Sequence, residues 1–334
     1  MLKIYFSPDD VLRTRVAPGA DPLWELILSV HVLQVRSPDP LTSGWRRGVS
    51  RELRRLVGAE PLRLLFALNP GRGYFPDFLT PHEGLQGLTE GLEAVRSTPV
   101  RLLRRDMTRM AGEHPLPSSA AALARGEPEV LRHLTDSMER YRELALSPYW
   151  AHIQAAIESD RMRRARALLD GGVAGLLDSF RPLARWESGV LEIHGYPESR
   201  ELHLDGRGLL LVPSFFCAGT PVALADPDLP PVLVYPVDRL GGLVPAEVGG
   251  GASTRAGAGR DALAALLGRT RAAVLEATDA GCTTGEVARR LRISPAAASQ
   301  HATVLRNAGL LVSHRDRNTV LHTLTPLGRA ILDA

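Results

Sequence analysis

Cysteine is nearly absent from this chain of 334 residues: Cys217 and Cys282 are the only two, and they form no ligand spacing. That excludes a disulfide framework and makes a reducing, cytoplasmic setting the expectation. Lysine is scarcer, since Lys3 stands alone and the other 39 basic residues are arginines. Aromatic residues make up only 5% of the chain, so any gathering of them is a signal. The opening "MLKIYFSPDD" lacks the basic and apolar segments of an export signal. The longest uncharged run, Gly208 to Ala225, is interrupted by Pro213, Gly219 and Pro221, which reads as strands and a loop rather than a membrane helix. No Gly-x-Ser-x-Gly elbow and no His-Glu-x-x-His pair occurs, and "PSFFCAGTP" around Cys217 has no obvious base nearby. An enzyme is therefore not expected.

The chain does have ordinary globular composition, 44% apolar and 23% charged, and length for two or three domains with buried cores. Its isoelectric point is about 9.1. The charge is unevenly placed. From Gly251 onward 11 arginines face 6 acidic residues, a balance of +5, while the preceding 250 residues carry 29 basic against 31 acidic, or −2. The positive excess lies in the last quarter, where an anionic partner is expected.

The expected fold is mainly α with a small antiparallel β part. "LKIYF" reads as a short strand, and most of the chain up to about Trp186 reads as helix. "DPLWELILSVHVLQV", "EPEVLRHLTDSMERYRELAL" and "SPYWAHIQAAIESDRMRRARALLDGG" carry helical spacing, with Trp24, Trp45, Trp150 and Trp186 on helices. "ALNPGRGYFPDFLTP" is too rich in Gly and Pro for a helix and reads as an ordered aromatic loop. "VLEIHG", "RELHLDG", "GLLLVPSFF" and "PVLVYPV" are strand candidates, and a small antiparallel sheet over 190–237 is expected from them. "GGLVPAEVGGGASTRAGAG" reads as a Gly/Ala-rich linker. The domains are then an α-rich 1–240, a linker 241–259, and a separate unit 260–334.

The last unit carries the sharper pattern. Asp261 is placed to cap a helix with an apolar stripe of Leu263, Leu266, Leu267, Val274 and Leu275. Thr283 with Glu286 three residues on is a capping box that opens a second helix, buried through Val287, Ala288, Leu291 and Ile293. Ser294 then caps a third, Pro295 suits its first position, and Gly309 can end it. Two short helices joined by a turn of about three residues have the spacing of a helix-turn-helix. At about 100° per residue, Ala302, Leu305 and Gly309 fall within about 40° of Ala298 and are assigned to the core. Ala296, Gln300, Thr303 and Asn307 take the opposite side, flanked by Ser299 and Arg306, with no bulky apolar residue among them. Such a face can enter a major groove: Gln and Asn suit adenine, Arg suits guanine or phosphate, and the helix N-terminus suits phosphate. "LLVSHRDRNTVLHTLT" reads as a hairpin turning at Asp316-Arg317-Asn318, with Arg315 and Arg317 at a wing tip, before a last short helix ending near Leu332.

The run "ISPAAASQHATVLRNAGLLVSHRDRNTVLHTLTPLGRAIL" resembles the winged-helix repressors of the arsenic-repressor (ArsR) family. The likeness covers about 75 residues, under a quarter of the chain. Ala302 stands where the family usually has leucine, and Asp316-Arg317-Asn318 where it usually has a glycine. The part before it resembles uncharacterised domains attached to winged helices in bacterial regulators. The resemblance implies a transcriptional regulator, a repressor, working as a homodimer on double-stranded DNA. Ser294, Ala296, Ala297, Ser299, Gln300, Thr303 and Arg306 are assigned to the groove or its phosphates, with Arg315 and Arg317 on the wing.

Metal sensors of that family carry cysteine pairs before the recognition helix or Asp and His ligands in the last helix. "TTGEVARRLRIS" has no cysteine and "TPLGRAILDA" no histidine, so neither a metal nor another cofactor is expected. His314 and His322, on opposite wing strands, do not make a site by themselves. The first 240 residues are assigned to dimerisation or to sensing a small-molecule effector. Tyr74, Phe75 and Phe78 on the aromatic loop are the candidates for lining its pocket, or for anchoring the loop to its own core. Two other readings stay open: a winged helix serving protein contacts instead of DNA, and an enzyme fused to a regulator.

Overall fold

Leu2 and Ile4 alternate with Lys3 and Tyr5, and in the computed structural model this becomes strand β1 (Leu2–Tyr5), with both apolar side chains fully buried. The structure describes residues 1–35, 40–55, 60–71, 73–239, 263–278, 281–316 and 319–332. Two compact units emerge, Met1–Ala246 and Glu247–Ala334, each with its own apolar core. The expected linker 241–259 lies outside the described residues. No described helix is long and apolar enough to cross a membrane.

In the first unit, α1 (Pro8–Arg13) opens on a capping box between Ser7 and Asp10 and leads to the short strand β2 (Arg15–Val16). Helix α2 (Pro22–Gln34) is the core element. Asp21 caps it, its carboxylate accepting from the Leu23 and Trp24 amides at 2.9 and 3.1 Å. Ten of its 13 residues are buried, as expected of a helix apolar on every side. The helices α3 (Pro40–Arg55), α4 (Glu60–Ala67), α5 (Leu88–Arg96), α6 (Val100–Glu113), α7 (Ser119–Ala124) and α8 (Pro128–Ala145) follow, of which α3, α5 and α8 pack against α2. Helix α8 touches α2, α3, α4 and α5, and the Trp45 indole of α3 donates to the Ala145 carbonyl at 2.7 Å. Helix α9 (Trp150–Asp178) bends at Gly172, inside the Gly pair that marks its end in the sequence.

The strand segments 190–237 do not form one antiparallel sheet. They divide between two mixed sheets, drawing in partners from elsewhere. Strands β3 (Ala184–Glu187), β4 (Val190–Ile193) and β5 (Arg200–His203) join β1 in the order β3-β4-β1-β5, antiparallel except for β1 with β5. Strands β6 (Leu210–Ser214), β7 (Val222–Ala223) and β8 (Val232–Pro236) join β2 in the order β2-β6-β8-β7, where β2, β6 and β8 run parallel. The reason is legible in the burial. Strands β4 and β5 alternate, so one face is covered. The continuous apolar run of β6 is buried at every residue and β8 at all but its last, as parallel strands covered on both faces require. Trp186, expected on a helix, lies on β3 and packs edge-on against Phe6 at 5.0 Å.

The second unit begins with α10 (263–267) and α11 (Arg269–Ala277). These were expected as one helix. Gly268, at φ +85°, breaks and rephases it, which leaves Leu266 74% exposed while Val274 and Leu275 are fully buried. Strand β9 (Cys282–Thr283), unforeseen in the sequence, runs into α12 (Thr284–Leu291), and the turn 292–294 leads to α13 (Pro295–Asn307). Strands β10 (Leu311–Asp316) and β11 (Thr319–Leu324) form the wing, in the sheet order β10-β11-β9, and α14 (Pro326–Leu332) follows. The fold is mainly α with short β elements, ending in a helix-turn-helix.

Candidate nucleic-acid interface and effector cavities

The helix-turn-helix is held by its caps. The Thr283 hydroxyl accepts from the Glu286 amide at 3.3 Å, and the Glu286 carboxylate accepts from the Thr283 amide at 2.8 Å. The Thr283 amide, and then the Thr283 hydroxyl at 2.8 Å from the same carboxylate oxygen, hold the Glu286 carboxyl below the usual range. Arg292 takes the left-handed conformation that closes α12, at φ +55°. Ser294 then accepts from the Ala297 amide at 3.1 Å and starts α13. Gly309, at φ +73°, lets the Leu310 amide turn back to the Leu305 carbonyl at 2.9 Å. It is exposed, because α13 ends two residues earlier, so its expected place in the core is corrected.

Ala298, Ala302 and Leu305 are buried to 2% exposure or less, so Ala302 faces the core. Ser294, Ala296, Ser299, Gln300, Arg306 and Asn307 are exposed. Ala297 and Thr303 are half-buried. Val304, 41% exposed, adds an apolar side chain to the open surface, which the expected face lacked. It lies about 100° round the helix from Thr303, so helical phase alone could have found it. A valine there suits the methyl group of thymine. His301 is half-buried.

The wing is tied to the helices through His322, 4% exposed. Its Nδ1 meets the Ser313 hydroxyl of β10 at 2.8 Å and its Nε2 the Thr284 hydroxyl of α12 at 2.9 Å. Burial, and then the charge of Arg306, lower its pKa. The register pairs His322 with Ser313 and His314 with Leu321, so the two histidines are not directly paired across the hairpin. Among the described residues no cluster of His, Cys, Asp or Glu could hold a metal ion. Arg315 is described in its backbone only, opposite Val320, and Arg317 lies outside the described residues.

Among the cavities of the first unit, two of about 570 and 520 Å³ are lined by residues of the aromatic loop. Tyr74 and Phe75 line the larger, Phe78 the smaller, and Asp77 both. The three aromatics therefore do not share one pocket. Asp77 stitches the loop down, accepting from the Ala225 amide at 3.1 Å and the Asp226 amide at 2.8 Å. Phe78 is 7% exposed and Tyr74 and Phe75 are half-buried, so anchoring and lining coexist.

Around the larger cavity, the Arg109 guanidinium stacks over Tyr74 at 3.9 Å and Arg200 reaches the Ala225 carbonyl at 3.4 Å. The His31 ring forms part of the wall. Its Nε2 is sealed from solvent without a hydrogen-bond partner, and burial lowers its pKa to about 4. Cys217, in the same wall, is 1% exposed, its Sγ 3.6 Å from the Thr220 carbonyl. Burial, helped by Glu25, pushes its thiol up to about 12, which leaves it unreactive at neutral pH. Glu25 of α2 is fully buried and accepts from the Phe215 and Phe216 amides at 2.8 and 3.1 Å. Burial raises its pKa to about 7 against those bonds.

Neither a curated protein nor a solved structure matches this chain. A family model described as a helix-turn-helix domain matches residues 266–314, which span α11, α12, α13 and most of β10. With the wing that follows, the chain carries a winged helix-turn-helix domain of the DNA-binding kind.

Proposed function

We propose that this protein is a sequence-specific transcriptional regulator of the ArsR type, a repressor in the cytoplasm rather than an enzyme. It acts as a homodimer on double-stranded DNA, and its first unit answers a small-molecule effector. The observation that carries the reading is the surface of α13, capped by Ser294 and open at Ala296, Ser299, Gln300 and Arg306. In a groove, Gln300 reads a base edge, Arg306 a guanine or phosphate, and Ser294 and Ser299 donate to phosphates. The +5 balance of the last 84 residues supports the non-specific part of the affinity. Two half-sites about one helical turn apart are expected for the dimer.

The test is anisotropy of labelled duplexes from the DNA upstream of the protein's own gene, against random duplex over a salt series, followed by footprinting. Tighter binding to a palindromic site is the expected result. Equal affinity for both duplexes at every salt concentration would leave only charge attraction and overturn the reading.

A further inference from the structure

Helix α9 buries Ile153, Ile157, Asp160 and Arg164, which recur at i, i+4, i+7 and i+11 and so share one side. Past Ala167 the helix leaves that support, and residues 168–172 are all exposed up to the bend at Gly172. The chain then folds back, since a Cβ on Gly175 would stand 2.7 Å from the Ala167 carbonyl oxygen. Large apolar side chains stand in water here: Leu169 is 85% exposed, Met162 67% and Leu168 39%. One exposed leucine is ordinary on a protein surface, but three such side chains within about two turns of one helix form a patch of the kind that marks an interface.

Met162, Ala165, Leu169 and Gly172, all exposed, form the spine of this patch. They follow one another at i, i+3, i+7 and i+10, the spacing of a seam between two helices. At about 100° per residue they fall within about 80° of each other, on the side away from Ile153 and Ile157. Size alternates along the spine: large, small, large, small. A second copy laid antiparallel, about a two-fold axis near Ala167, sets Met162 against the partner's Gly172 and Leu169 against the partner's Ala165. Each large side chain then meets a gap. Nothing lies within 4 Å of the place where a Cβ would stand on Gly171 or Gly172, so that gap is open in the single chain.

Charge follows the same symmetry. Arg166 and Asp170, both exposed, flank the spine on one side and meet each other loosely at 3.8 Å. In the antiparallel register each Arg166 stands about 3 Å along the axis from the partner's Asp170, against about 6 Å from its own. The neighbouring arginines are committed elsewhere, Arg161 to Glu158 and Arg163 to Asp160 and Asp238.

We propose that this stripe of α9 is the face on which two copies of the chain pair, antiparallel, with the axis near Ala167. The alternation of size and the placing of Arg166 and Asp170 about nearly the same point are what self-complementarity requires, and they select a second copy over an unrelated partner. The stripe gives the proposed homodimer its face and rests on that reading only for its bearing on DNA, since pairing is measured without DNA.

The experiment is sedimentation equilibrium of the full chain, with substitutions at exposed positions that leave the buried side of α9 intact. The parent is expected to dimerise with Kd below about 100 μM. Leu169→Glu sets a carboxylate into the seam and weakens dimerisation at least about tenfold. Arg166→Asp gathers like charges on the flank and weakens it too, while Arg166→Asp combined with Asp170→Arg restores it by exchanging the pair. Register is read with a short bifunctional maleimide, the two native cysteines being buried. Leu168→Cys, about 3 Å along the axis from its counterpart, is joined quickly; Met162→Cys, about 15 Å from its own, is not.

Three outcomes overturn the proposal. They are a parent that stays monomeric at about 100 μM, a Leu169→Glu variant that dimerises as the parent does, or Met162→Cys joined as fast as Leu168→Cys. The second is the result if another segment or another protein covers the stripe. The two readings fail separately. If copies pair through α9 and no duplex is bound specifically, the face stands and the regulator falls; if specific binding is seen in a chain whose pairing ignores Leu169→Glu, the regulator stands and the face falls.

Discussion

Replacing His31 with Phe removes a buried nitrogen that the fold leaves without a partner, and its effect should depend on pH in a calculable way. The imidazole titrates near 6.5 in an unfolded chain. In the fold, burial lowers that to about 4. Between those values the unfolded chain binds a proton that the folded chain does not, so stability falls as pH drops through this window. The gap is about 2.5 units at about 1.4 kcal/mol each, or about 3 kcal/mol of stability lost between pH 6.5 and 4 through this group.

Two neighbours on the same helix work the other way. Glu25 titrates at about 7 and Asp21 at about 6, both raised by burial. Each favours the fold at low pH and loses that contribution as pH rises through its folded value. The profile of the unaltered protein is thus a difference of opposing slopes, and the informative quantity is variant minus parent. His31→Phe should be worth about 1–3 kcal/mol at pH 7, from the lost unsatisfied nitrogen, and about 3 kcal/mol more at pH 4. Urea unfolding at half-unit pH steps, followed by tryptophan fluorescence, measures it. All four tryptophans lie in the first unit, so the signal reports that unit alone. A stability difference that stays constant from pH 7 to pH 4 would refute the assignment of His31 as buried and neutral.

Four further outcomes are expected. Asp160→Ala strands the buried Arg164 and removes the acceptor of the Tyr235 hydroxyl at 2.9 Å, costing about 3 kcal/mol; an unchanged urea midpoint would contradict it. Gly328→Ala places a methyl group 2.2 Å from the Leu310 carbonyl oxygen, so α14 must shift, at about 1–3 kcal/mol. The second unit contains no Phe, Trp or Tyr, so hydrogen exchange at α14 is the readout there, and unchanged protection would count against the packing described. Gln300→Ala should relax base preference by about 1–3 kcal/mol at one position per half-site, read from competition with single-base variants of the footprinted site. Arg317→Ala should weaken binding to all sequences and lower the salt slope by about one unit; an unaltered slope would remove Arg317 from the wing contacts.

The second unit was legible because its signals are local. Thr283 with Glu286, Ser294 with Pro295, and Gly309 each act within a few residues, and together they place α12, the turn and α13 where the structure has them. The misses there have local causes too. The glycine at 268 breaks a stripe that otherwise reads through, and β9 is only two residues long, visible through its pairing with β11. In the first unit the deciding partners are distant. Strand β1 sits between β4 and β5, nearly two hundred residues away, and the short alternations of β4 and β5 carry no mark of which strand they join. The continuous apolar runs of β6 and β8 did carry such a mark, being the pattern of parallel strands buried on both sides. The smaller cavity had no sequence signal: Asp21, Asp77 and Asp106 converge from three separate segments and look like surface residues in a chain with 37 acidic side chains.

Helix α2 ties these features together. A helix with ten buried residues is most simply made entirely of apolar side chains, yet this one carries Glu25 and His31 and is capped by the buried Asp21. Each costs stability at some pH, as the shifts to about 7, 4 and 6 record. Glu25 answers a structural need, since it accepts from the Phe215 and Phe216 amides where the chain leaves β6. Capping accounts for Asp21 Oδ1. The His31 nitrogen satisfies no partner at all. The helix also runs past both cavities, with Asp21 and Trp24 in the wall of one and Leu28, His31 and Val32 in the wall of the other. A unit that served only to hold two winged helices together would gain nothing from a ring nitrogen left without a partner at His31. Its place in the wall of the larger cavity favours an effector-binding role for the first unit over a purely architectural one.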